Sequence, residues 1–339
     1  MKKKPILSAL GLLTLFLSLS PAALALSPGD MVVPVGETVG VELRCTGVIV
    51  SGLAELPAGD GSASPAGEAG VRAGDRITGF NGQPVRSGEE FLQLTAEMDG
   101  GPVELEICRG EDTRRVLVTP VRGEGGRWQL GLWLRDGVRG IGTVTFWDPA
   151  SQMFGALGHG VSMPQSQELL PAESGEITRS EVTNVIPGKQ GFAGELLGET
   201  DYDAILGRVE RNDLRGIFGT SAALGEKKPV PLAADREIRP GPATILATVD
   251  RSGPREFAAE ITRIDRDGSP TRQLTITVTD PALLSLTGGI VQGMSGSPVL
   301  QNGRLVGAVT HVLLSDPTKG YGITMENMLK ALPAPGAAA

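Results

Sequence analysis

The sequence predicts a mainly β protein, with a small α+β domain followed by a larger domain of short strands arranged as barrels or a sandwich. Three observations carry that reading. The chain has 339 residues, enough for two hydrophobic cores of ordinary size. Gly (48) and Pro (24) are plentiful and aromatics make up only 4%, which suits strands joined by turns better than a helical bundle. Beyond Trp133, apolar runs rich in Val, Ile and Leu recur between turn signals such as Asp148-Pro149 and Asn302-Gly303, without a helical period between them. The formal charge of −8 is spread along the chain and no basic stripe exists, which excludes nucleic acid as a partner.

The N-terminus departs from this pattern. Lys2, Lys3 and Lys4 precede an uncharged run that is most apolar from Ile6 to Leu19, and Ala23-Leu24-Ala25 offers the small residues of a signal-peptidase site. The run is shorter than the ~20 residues that span a bilayer comfortably. Residues 1–26 therefore read as a signal peptide or N-terminal membrane anchor, and 27–35 as a linker. Either way the protein is expected to be exported. Cys45 and Cys108 fall in strand-like segments of one domain, either bridged or as two free thiols, and a chain this long needs no staple. Two cysteines and two histidines at these spacings suggest no metal site, and no cofactor is expected.

The first domain is placed at residues 36–122. Val39-Gly40-Val41-Glu42-Leu43 and Gly47-Val48-Ile49-Val50 read as extended segments. Asn81-Gly82 is a tight-turn signal between two strands. Residues 88–98 read as an amphipathic helix with Phe91, Leu92 and Thr95 on one face. Residues 102–108 and 114–121 alternate as a closing hairpin. This order, with the string A-G-V-R-A-G-D-R-I-T-G-F-N-G-Q-P-V at 69–85, resembles a PDZ domain. The resemblance implies a loop whose amides receive a peptide's C-terminal carboxylate, and Val39, Gly40 and Val41 stand where that loop is expected. The alternative is that Val39 and Val41 simply begin a core strand.

The second domain, residues 125–332, follows a turn-rich link and ends in a short helix around Leu329. Its chemistry gathers in two strings. Gly293-Met294-Ser295-Gly296-Ser297-Pro298 is a G-x-S-G-x-P turn, in which the amides of Gly293 and Ser295 can converge on a developing oxyanion. Gly158-His159-Gly160 supplies a base for Ser295. His311 follows the next strand, and three readings stay open: a lining of the specificity pocket, a satisfied core histidine, or the base itself. The pocket reading would favour polar or acidic side chains before the cleaved bond. For the residue that orients the base, Asp280 is preferred, with Asp201, Asp203 and Asp213 as alternatives. The serine string is that of chymotrypsin-like proteases, so a double β-barrel is the expected form of this domain.

The pairing of a PDZ domain with Leu157-Gly158-His159-Gly160, the string from Gly289 to Pro298, and Gly307-Ala308-Val309-Thr310-His311-Val312 resembles the SpoIVB sporulation peptidases. That resemblance implies a serine endopeptidase with His159, Asp280 and Ser295 as its triad. It would be exported to the space between the forespore membranes. There it would cut a membrane-associated regulator of an intramembrane protease, so activating a sigma factor. The PDZ domain would bind the target's C-terminal region and the enzyme's own N-terminal segment, which self-cleavage trims. Digestive relatives carry an acidic residue before the serine; Met294 stands there and cannot pair with a new N-terminus.

Overall fold

Phe257, Ala259 and Ile261 are buried while Ala258, Glu260 and Thr262 between them are exposed, the period-two pattern of a strand with one face on a core. Strands of this kind close on themselves twice. The computed structural model describes residues 26–332, apart from 59–60, 124 and 164–167. Most of the segment read as a signal peptide or anchor lies outside the described residues.

The first barrel contains β1 (Thr38–Leu53), β2 (Leu132–Trp147), β3 (Met153–Ala156), β4 (Ala172–Ile186), β5 (Glu195–Asp213) and β6 (Gly216–Thr220). Each strand pairs antiparallel with the next in the order β2-β3-β6-β5-β4-β1, and β1 returns to β2, which closes a ring. Leu43, Val144, Phe154, Ile177 and Ile217 fill it. The second barrel contains β7 (Gly241–Ala247), β8 (Arg255–Ile264), β9 (Leu274–Val278), β10 (Pro298–Gln301), β11 (Arg304–Val312) and β12 (Lys319–Thr324). These close in the order β7-β8-β9-β12-β11-β10 around Ile245, Ile261, Ile276, Val299 and Val309. Phe146 and Phe218 of the first barrel meet Leu246, Leu305 and Met328 in the seam between them. A double barrel of antiparallel strands is the expected architecture.

The PDZ-like domain is inserted into the first barrel and does not precede it. Both β1 and β2 are 16 residues long and run out of the barrel as a two-stranded ribbon. Residues 48–53 of β1 enter the PDZ sheet beside Arg76–Phe80, followed by Val103–Arg109 and Asp112–Val118. At the Asn81-Gly82 turn both residues take positive φ, +49° and +76°, as a two-residue hairpin requires. The helix Gly88–Ala96 is capped by the Ser87 hydroxyl, which accepts from the Glu90 amide at 3.2 Å. Its inner face is Phe91, Leu94 and Met98, at spacings of three and four; Leu92, expected inside, is 67% exposed.

Three expectations are corrected here. Val39, Gly40 and Val41 are not a carboxylate-binding loop. They lie inside β1, with β2 on one side (Val41↔Gly140) and β4 on the other (Val41↔Ile177), so their backbone groups are committed to ladders. A Cβ on Gly40 would come within 2.2 Å of the Thr200 side chain, so that glycine serves barrel packing. The PDZ part consequently starts near Cys45 and not at residue 36. Residues 27–35 are not a linker: Met31–Pro34 is a strand paired with the end of β2 and with Val230–Pro231, and Val32 is buried in the seam. Along residues 49–53 the edge of the PDZ sheet is extended by the chain itself. Residues 132–135 pair antiparallel along residues 49–53, beside the helix, with Leu132 and Leu134 packed on the PDZ core. Cys45 and Cys108 are both free, Cys45 buried.

Arg44 and Gly137 are cross-strand partners where the ribbon leaves the barrel. Replacing residues 45–136 by an Asn-Gly turn is expected to leave a folded double barrel with one cooperative thermal transition. Removing 36–122 instead deletes a barrel strand and is expected to give insoluble protein.

Candidate active site

The cleft between the barrels has a volume of about 870 Å³ and brings His159, Ser295 and His311 to one wall system. Two consecutive left-handed residues after β3, Leu157 (φ +68°) and Gly158 (φ +69°), turn the chain so that His159 enters this cleft. A leucine seldom adopts that conformation, and here its amide is held by the Thr143 carbonyl at 3.1 Å. The His159 Nδ1 lies 2.9 Å from the Gly160 carbonyl oxygen. A carbonyl only accepts, so Nδ1 carries the proton and Nε2 is left as the basic nitrogen. Burial holds the imidazole below its ordinary pKa, opposed by the Gly160 carbonyl, and keeps it neutral.

The serine loop leaves the helix Pro281–Thr287 through Gly288 and docks on β5. The Gln292 amide donates to the Gly194 carbonyl at 3.1 Å, and the Gln292 carbonyl accepts from the Leu196 amide at 2.9 Å. In a trans peptide the N–H points opposite the C=O, so the Gly293 N–H is turned away from β5. The Met294 carbonyl accepts from Ser297 at 3.0 Å, which orients the Ser295 N–H in the same manner. Neither amide donates to another described residue, and both residues border the cleft. Gly293 and Gly296 each sit at φ +96°, and a Cβ on Gly296 would come 2.0 Å from the Thr143 carbonyl. Met294 is fully buried in the second barrel's core.

Strand β2 clamps this loop. The Thr143 amide donates to the Ser295 carbonyl at 2.9 Å, its hydroxyl to the Gly293 carbonyl at 2.8 Å, and the Thr145 hydroxyl to the Gly296 carbonyl at 2.8 Å. Both threonines are buried. Sequence reasoning passed over them, although their alternation in Gly142-Thr143-Val144-Thr145-Phe146 puts both hydroxyls on one face of a strand.

The Ser295 hydroxyl donates to the Thr310 carbonyl at 2.9 Å and not to an imidazole. The His311 ring centroid lies 5.1 Å from that of His159. Its Nδ1 is buried without a hydrogen-bond partner among the described residues. Burial, then His159 and Arg272, push its pKa down to about 4, so it is neutral near pH 7.

Asp280 is not brought to His159. It caps the helix Pro281–Thr287, its carboxylate accepting from the amides of Ala282 and Leu283 at 2.9 and 3.1 Å and of Ala258 at 3.2 Å. These amides hold its pKa below the usual carboxylate range. Asp201 accepts from the Asp203 amide, and Asp213 pairs with Arg211 and Arg215. Among the described residues the partner of the His159 Nδ1 is a main-chain carbonyl, which no side-chain pattern could have revealed.

The family model of the SpoIVB peptidase S55 matches residues 126–329, and a PDZ domain model matches 61–109. The chain belongs to the SpoIVB peptidase S55 family. The match to the PDZ model begins well beyond Val41. Among curated proteins, a Clostridium perfringens protein named as a zinc metalloprotease is 38% identical over 69 residues, covering 20% of this chain and 21% of that protein. A Pasteurella multocida protein of the same naming is 36% identical over 69 residues, covering 20% of this chain and 15% of that protein. The chain thus spans about a fifth or less of these relatives' length. Among solved structures, the Rv3671c protease of M. tuberculosis in its inactive form is 16% identical with a TM-score of 0.35, over 58% of this chain and 85% of that one. A PDZ domain from Listeria monocytogenes is 23% identical with a TM-score of 0.23, over 27% of this chain and 90% of that one.

In this S55 peptidase, Thr143→Val is expected to leave the Gly293 carbonyl buried and unpaired, at a cost of about 1–3 kcal/mol in a denaturant melt. Thr143→Ser restores the hydroxyl and is expected to recover most of that loss.

Proposed function

We propose that this peptidase cleaves its protein target by acyl transfer, with Ser295 as nucleophile, His159 as general base and the amides of Gly293 and Ser295 as the oxyanion hole. The observation that carries the reading is the meeting, in one cleft, of a serine, an imidazole whose Nδ1 is engaged by a carbonyl, and two main-chain amides without partners among the described residues. The mechanism requires the Ser295 hydroxyl to leave the Thr310 carbonyl and turn to His159. Nε2 takes the serine proton as Oγ attacks the scissile carbonyl, then returns it to the leaving amine; water releases the acyl group by the reverse path. The Gly160 carbonyl performs the orienting task commonly given to a carboxylate.

The biological setting proposed is the one the family suggests. The enzyme is exported by its lysine-led N-terminal segment and acts between the forespore membranes. It cuts a membrane-associated regulator so that intramembrane proteolysis and sigma-factor activation follow, and it trims its own N-terminal segment. The PDZ domain assists by contacting the target through surfaces other than the strand edge its own chain covers.

Ser295→Ala is expected to abolish both labelling by a fluorophosphonate and cleavage of a protein substrate, with the melting temperature unchanged; persistent labelling would refute the assignment. Because burial lowers the His159 pKa, the imidazole stays neutral below its ordinary titration range. The acid limb of kcat/KM is expected below pH 6.5.

Asp280 contributes by holding the helix from which the serine loop departs. Asp280→Ala is expected to cost about 0.5–2 kcal/mol and to lower activity with it. Asp280→Ser, which also caps helices, is expected to keep activity within several-fold of wild type. A charge-stabilising member of a triad would lose about 10⁴-fold in both variants.

A further inference from the structure

The chain carries a formal charge of −8, yet among the described residues no aspartate or glutamate lines the cleft. Its charged wall is Arg272, at the end of the turn between β8 and β9. The guanidinium stands 5.2 Å from the Tyr321 ring centroid and pairs with no carboxylate among the described residues. An exposed arginine in an acidic protein normally finds a partner, and stacking on an aromatic face fixes this one without neutralising it. Beside it the His311 Nδ1 is buried with no hydrogen-bond partner among the described residues. A buried polar nitrogen left in this state is costly unless something else supplies its partner.

These groups are tied to the reacting serine. The Thr310 hydroxyl donates to the Thr271 carbonyl at 2.6 Å, and the Thr310 carbonyl receives the Ser295 hydroxyl at 2.9 Å. The turn bearing Arg272, the strand bearing His311 and the nucleophile therefore move as one unit. With the His311 proton on Nδ1, a ligand that answers both groups needs two acceptor oxygens on one small planar centre. A carboxylate provides them, and an amide of the same shape provides one acceptor and no charge.

We propose that this cleft selects a peptide carrying a glutamate or aspartate side chain next to the scissile bond, received by the Arg272 guanidinium and the His311 Nδ1. The proposal rests on the cleft being the protease site, and it deepens that reading by naming the substrate's side chain.

Equilibrium binding separates the two ideas, since it needs no turnover. Fluorescent peptides differing only in Glu against Gln at one position are titrated into the Ser295→Ala protein, the position being scanned along the peptide. At one position the Glu peptide is expected to bind roughly 10–100-fold more tightly than its Gln twin. Arg272→Ala in the same background is expected to bring that ratio to near one, and Arg272→Lys to keep part of it. Equal binding of Glu and Gln peptides at every position, or a Glu preference untouched by Arg272→Ala, overturns the proposal. Fluorophosphonate labelling of the wild-type serine reports separately on the catalytic assignment.

Discussion

A short stretch of one strand ties the serine loop to the first barrel. Thr143 and Thr145 lie on the same face of β2 and give their hydroxyls to the carbonyls of Gly293 and Gly296, while the Thr143 amide takes the carbonyl of Ser295 between them. Three successive attachments thus fix the serine loop to the barrel that carries the histidine. The Thr143 carbonyl holds the other partner too, since it receives the Leu157 amide two residues before His159. Thr143 thus holds both the serine loop and the turn that leads to His159, through bonds more directional than the packing of the hydrophobic seam.

The loop itself is shaped from the opposite side. Contact with Leu196 and Gly194 on the first barrel turns the Gln292–Gly293 peptide, and the buried Met294 side chain anchors the bend from below. A chymotrypsin-like enzyme with an acidic residue before the serine relies on an ion pair at this point. Here an apolar anchor and a parallel bridge to β5 take its place, so the loop's conformation does not wait on a charge.

What was legible in the residues was whatever is local. Asn81-Gly82 announced its turn and residues 88–98 their helix, because each depends on a few neighbouring bonds. Val39-Gly40-Val41 was misread because a period of two fits a peptide-binding loop leading into a strand as well as a barrel strand. The difference lies in β2 and β4, distant in sequence. Asp280-Pro281 carried two signals at once. Its distance from Ser295 suggested a triad, while an aspartate before a proline is also how a helix begins, and the local signal describes its bonds. A carbonyl orienting an imidazole leaves no mark on the sequence. Threonines that clamp a loop leave only a faint one, because their targets are main-chain oxygens of another barrel.

The insertion of the PDZ domain between Arg44 and Gly137 has a consequence for how the molecule assembles. β1 and β2 are neighbours in the first barrel, but the whole inserted domain separates them along the chain. As an unstructured loop it would impose an entropic cost on bringing those two strands together. Once folded, its sheet and helix already hold residues 49–53 against 132–135, and the rest of the ladder can zip towards the barrel from that end. Folding of the smaller domain first would thereby shorten the loop that the larger one has to close.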